Sequence, residues 1–141
     1  MPRRLVLVII GLVAIAALLI APAHAVGEAS RFIEQLGHQV VHAQNGRRAV
    51  DLARAVGFDL IMLDARMPVM DAREATRAIR GLAEPVGQVP IIVVLGGEGA
   101  SEAGRCLEAG ADAVMRKPVS VAAVARAIAE AGAARRKAAA A

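Results

Sequence analysis

The chain is poor in the residues from which several kinds of site are built. It has one cysteine, two phenylalanines, and neither tryptophan nor tyrosine. A single thiol, Cys106, excludes an internal disulfide framework, and zinc sites of the usual clustered kind are absent as well. With an aromatic fraction of 1%, no stacking platform for single-stranded nucleic acid or sugar can be assembled. No G-x-G-x-x-G, G-x-x-x-x-G-K or G-x-S-x-G pattern occurs, so the common nucleotide-binding and hydrolase signatures are missing. His24, His38 and His42 have no metal-ligand spacing. What is present is apolar: 57% of 141 residues are hydrophobic and 21% charged, which excludes wholesale disorder and suits one compact domain. The net charge of +4 is concentrated at the termini, in Arg3, Arg4, Arg135, Arg136 and Lys137. Without a recognition module or interleaved aromatics, that charge does not indicate a nucleic-acid partner.

The first 25 residues admit two readings. Arg3 and Arg4 precede an apolar run from Leu5 to Ala21, and Ala23-His24-Ala25 follows. A basic start, an apolar stretch and a small-x-small site describe a secretory signal, and the run reaches the short limit for a membrane span. The other reading makes its last part, Ala17–Ala21, a buried parallel strand, which is also continuously apolar. Cleavage after Ala25 would delete that strand. The retained-strand reading gives a cytoplasmic protein; the alternative is export or membrane anchoring through residues 1–25, with 5–21 as the membrane-contacting part.

From residue 26 onward, strand and helix patterns alternate. Val26 to Leu36 has helical spacing closed by Gly37, and QVVHA (39–43) is a β-branched run before the Asn45-Gly46 turn. Arg47–Val56 is helical, and Phe58–Leu63 is an apolar strand ending at Asp64. Ala72–Leu82 is helical, and Pro90–Leu95 is a strand broken by Gly96-Gly97. Ser101–Ala109 is a helix, Ala113–Arg116 a short strand before Lys117-Pro118, and Val121–Ala134 the last helix, with an Ala-rich basic tail after it. Such alternation predicts an α/β fold, a doubly wound five-stranded parallel sheet covered on both faces. Ligands sit beyond the carboxyl ends of the strands in sheets of this kind, so Asp64 and Lys117 are predicted to share one crevice.

Four stretches resemble the receiver domain of two-component response regulators and hybrid histidine kinases: HQVVHAQNGRRAVDLA, FDLIMLDARMPVMDA, VPIIVVLGG and CLEAGADAVMRKPVS. The combination of D-x-x-M-P with a K-P pair about 50 residues later is specific. The resemblance covers residues 17–131, leaving 1–16 as an apolar N-terminal extension and 132–141 as a tail. It implies a flavodoxin-like receiver fold with strand order 2-1-3-4-5. It also implies that Asp64 is the phosphoacceptor, whose carboxylate takes a phosphoryl group from phosphohistidine. Lys117 is implied as the ammonium that pairs with the phosphoryl oxygens. Met67 and Pro68 match the turn after the aspartate, and Pro118 the proline that usually follows a cis peptide.

The sequence departs from the family pattern at three places. The acidic pair that ends the first strand and holds magnesium falls on Ile20 and Ala21, counting back from Gly37. The Ser or Thr that hydrogen-bonds the phosphoryl group aligns with Leu95, and the aromatic switch residue with Val114. The expected metal is therefore none, or weakly held Mg2+ at most. The resemblance implies a single-domain receiver in phosphorelay signalling, not an enzyme beyond autophosphorylation of Asp64 from a phosphodonor. Its implied partner is a histidine kinase or phosphotransfer protein, with homodimerisation a further option. No output domain follows Ala134 in this reading, so the response passes through protein contacts. The helix Ser101–Ala109, strand Ala113–Arg116 and last helix form the family's usual contact face. The alternatives are a phosphorylation-independent scaffold and an exported or membrane-tethered protein with a vestigial receiver.

Overall fold

The computed structural model describes residues 5–9, 31–33, 35, 39–43, 45–65, 69–97 and 99–140. Its framework is a five-stranded parallel sheet of β1 (Leu5–Ile9), β2 (Gln39–Ala43), β3 (Leu60–Asp64), β4 (Ile91–Leu95) and β5 (Ala113–Arg116). The strand order is β2-β1-β3-β4-β5, as the doubly wound reading predicts. Among the described residues the helices α1 (Gly46–Ala55), α2 (Ala72–Arg80), α3 (Ala100–Ala109) and α4 (Val121–Ala140) accompany the strands. Residues 31–33 are also helical.

The first strand is not where the sequence pattern places it. The central position, paired with β2 on one side and β3 on the other, is taken by Leu5–Ile9. Ile20 and Ala21, read as the closing positions of that strand, lie outside the described residues. The physical reason is composition. Leu5–Ile9 is wholly aliphatic and β-branched at three of five positions, which suits a pleated strand with neighbours on both sides. Ala17–Ala21 is alanine at two of five, a residue that favours helix. Counting back from Gly37 fails because the strand lies at Leu5–Ile9, further from Gly37 than the count assumes. Among the described residues, no helix is long and apolar enough to cross a membrane.

Strand alternation divides the core into two layers. Ile61 and Leu63 of β3, with Ile91, Val93 and Leu95 of β4, pack beneath Ala49, Ala53, Ala75, Ile79 and Cys106 of α1, α2 and α3. Leu60, Met62, Ile92 and Val94 face the other way, toward Ile33 and toward Val124, Ala127 and Ala131 of α4. Every residue of β3 and β4 is buried, as expected of inner strands in a sheet covered on both sides.

Side-chain caps fix two helix starts. Asn45 Oδ1 accepts from the Arg48 N–H at 2.8 Å, and Asp71 Oδ1 from the Glu74 N–H at 2.9 Å. Gly46, the first residue of α1, lies so close to the Met70 carbonyl that any Cβ there would overlap it. The start of α1 is thereby seated on the loop that follows Asp64. The last helix runs to Ala140, past the Ala134 end that the sequence pattern suggests. Alanine, arginine and lysine are good helix formers, and Arg135 is anchored on Asp112, so the alanine-rich tail continues the helix.

Candidate functional site

Two ladder bonds bring the site together at the carboxyl edge of the sheet. The Ala65 N–H donates to the Val94 carbonyl and the Lys117 N–H to the Leu95 carbonyl, each at 2.9 Å. The chain on either side of β4 is thus held to it just where β3 and β5 end. Asp64, the last residue of β3, and Lys117, the first after β5, then meet across the end of β4. The Lys117 ammonium donates to Asp64 Oδ2 at 3.4 Å. Asp64 is 8% exposed, whereas a third of the Lys117 side chain reaches solvent. The pair is thus a buried carboxylate with a partly solvent-exposed lysine as its counter-charge.

The other sequence-derived positions fall around this pair. Leu95 does not line the crevice: it is fully buried in the layer beneath α1, α2 and α3. Val114 is half-buried and packs on the same layer. Pro118 follows Lys117 through a cis peptide and is exposed. Met67 and Pro68 lie outside the described residues. In the same loop Val69 is 81% exposed with φ 70°, a left-handed conformation that costs a residue with a Cβ about 1–2 kcal/mol. The loop after β4 is open, for a Cβ at Gly97 or Gly99 would meet nothing within 4 Å.

α2 and α3 both begin at this rim, and Arg73 Nε lies 3.2 Å from Glu102 Oε1 across them. Glu102 also receives the Cys106 thiol at 3.9 Å. Burial pushes that thiol above its ordinary value, and the Glu102 charge pushes it further, so Cys106 is a packed small side chain.

The donor set for a metal is thin. No Asp or Glu occurs before Glu28, so β1 brings no carboxylate to the rim. Among the described residues, no group of three or more His, Cys, Asp or Glu side chains converges.

At the opposite pole lies a cluster that residue spacing does not reveal. The Asp112 carboxylate accepts from Arg80 Nη2 at 2.7 Å, the Ile91 N–H at 2.9 Å and Arg135 Nε at 2.6 Å. Arg80 also donates to the carbonyls of Gly87, Val89 and Gly110. Burial lowers the Arg80 guanidinium from its ordinary value, and Asp112 opposes that shift. Residues 80, 112 and 135 are far apart in sequence, and only the sheet topology brings them together.

Comparison with known proteins agrees with this fold. Residues 23–129 match the family model of the response regulator receiver domain. The sensor protein GacS of Pseudomonas syringae pv. syringae is 36% identical over 90 residues, which span 62% of this chain and 10% of that protein. The two-component response regulator ORR41 of Oryza sativa subsp. japonica is 40% identical over 86 residues, 60% of this chain and 65% of that protein. The chain therefore spans only part of these relatives, about a tenth in the case of the sensor. Among solved structures, the receiver domain of sensor histidine kinase PA1611 from Pseudomonas aeruginosa, with magnesium coordinated in its active site cleft, superposes with a TM-score of 0.74. It is 26% identical, and the match covers 93% of this chain and 99% of that one. A CheY-like receiver domain from Methanospirillum hungatei, 22% identical, gives a TM-score of 0.75 over 96% and 98% of the two chains, a likeness of fold. The chain belongs to the response regulator receiver domain family.

Proposed function

We propose that this receiver accepts a phosphoryl group on Asp64 within a phosphorelay. The observation that carries the reading is the 3.4 Å contact between the Lys117 ammonium and Asp64 Oδ2 at the carboxyl edge of the sheet. An Asp64 carboxylate oxygen attacks the phosphorus of a phosphohistidine donor, forming the P–O bond of an acyl phosphate. The donor's P–N bond breaks, and its nitrogen leaves as neutral imidazole after taking up a proton. Lys117 holds the oxygens of the transferred group through its charge. The partner is a histidine kinase or a phosphotransfer protein, and the output passes through contacts made by α3, β5 and α4.

A second reading has a specific observation in its favour. Leu95 is buried in the core and Val114 packs against the same layer, and neither position supplies the hydroxyl or the aromatic ring through which family members report phosphorylation. The domain would then work as an interaction module independent of phosphate. Incubation of the intact protein with acetyl phosphate or a phosphorylated kinase separates the two. Stoichiometric label that disappears in Asp64→Asn and falls in Lys117→Met is the expected result; no label under any condition leaves the interaction module.

A further inference from the structure

We infer that this site has no affinity for a divalent cation and that Lys117 supplies the positive charge it needs. The inference rests on the reading of Asp64 as phosphoacceptor. A magnesium ion demands near-octahedral oxygen ligands and is ordinarily held by more than one carboxylate or by phosphate oxygens. Among the described residues no group of three or more His, Cys, Asp or Glu side chains gathers around Asp64, and the first strand, being Leu5–Ile9, contributes no carboxylate. The described residues do not fit the metal.

Charge balance leads to the same conclusion. With an acidic pair beside the phosphoacceptor, three carboxylates and one lysine would leave two negative charges, which a divalent cation cancels. Here the Asp64 carboxylate already has the Lys117 ammonium 3.4 Å away, a counter-charge in place without metal. A cation entering such a site loses hydration without gaining net attraction, and the ammonium repels it. After phosphoryl transfer, Lys117 stands as the counter-charge to a group carrying nearly two negative charges at neutral pH. Slow labelling follows, at a rate indifferent to metal.

The test uses the full chain and two probes, magnesium and manganese. Absence of Trp and Tyr makes intrinsic fluorescence a poor reporter, so amide spectra are followed during titration. The signals of Ala65, Gly96 and Lys117 are expected to stay in place up to tens of millimolar MgCl2, without saturable broadening by Mn2+. Labelling from acetyl phosphate is expected to proceed at the same rate, within about twofold, in EDTA and in excess magnesium, where metal-assisted phosphoryl transfer would differ by far more. Saturable shifts that vanish in Asp64→Asn would overturn the inference. So would binding abolished by Glu98→Gln, which would identify the acid of the β4–α3 loop as a ligand. Labelling that requires magnesium overturns this inference and leaves Asp64 as phosphoacceptor. A silent titration with no labelling overturns the phosphoacceptor reading and leaves the cation-free site standing.

Discussion

Replacing Asp112 by alanine is expected to lower the stability of the domain by about 3–5 kcal/mol, the usual consequence of breaking a buried ion pair on one side. The carboxylate is 2% exposed and holds two guanidinium groups and the Ile91 N–H. Its loss leaves Arg80, itself 16% exposed, with carbonyl acceptors but no counter-charge. The cost falls on the point where α2, α3, β4, β5 and the distal half of α4 are tied together. Arg135→Ala is expected to cost less, because that side chain is more exposed and Asp112 keeps Arg80. Urea unfolding followed by far-ultraviolet circular dichroism checks both. An Asp112→Ala midpoint indistinguishable from the parent would show that the cluster is not a tie. A loss of several kcal/mol is large against the roughly 5–15 kcal/mol typical of whole domains.

Leu95→Ala is expected to destabilise by about 2–5 kcal/mol, the range for truncating a large aliphatic side chain in a packed core. Leu95 is fully buried at the end of β4, where its carbonyl also receives the Lys117 N–H. The informative companion is Leu95→Thr, which introduces the residue type common at this family position. Threonine loses volume and adds a hydroxyl to an apolar layer, so it is expected to cost more than Leu95→Val. A threonine variant as stable as the parent would mean that the side chain at 95 turns toward the crevice, contrary to its placement in the core. The same unfolding measurement decides this.

The parts of this molecule legible in sequence are those governed by local periodicity. The inner strand IIVVL is a continuous apolar run and LIMLD is one up to its closing Asp64, and the structure buries every residue of both. The helices Gly46–Ala55 and Ala72–Arg80 lie where amphipathic spacing places them, over Arg47–Val56 and Ala72–Leu82. The convergence of Asp64 and Lys117 follows from the rule that parallel strands present their carboxyl ends on one edge. The first strand was not legible, because the apolar stretch from Leu5 to Ala21 holds more than one segment able to form a strand. Choosing among them depends on pairing with β2 and β3, which is tertiary information. The Asp112 cluster was illegible for the same reason, since Arg80, Asp112 and Arg135 meet only after the sheet forms. The tail beyond Ala134 reads as low complexity, yet its alanines continue the helix once Arg135 is anchored.

The central claim is that Asp64 is the residue that carries the phosphoryl group. The most direct measurement is chemical: label the intact protein with a phosphodonor, reduce the acyl phosphate with borohydride, and locate the resulting homoserine by peptide mass spectrometry. The account predicts homoserine at position 64. Reduction at any other aspartate, with position 64 unchanged, would contradict it.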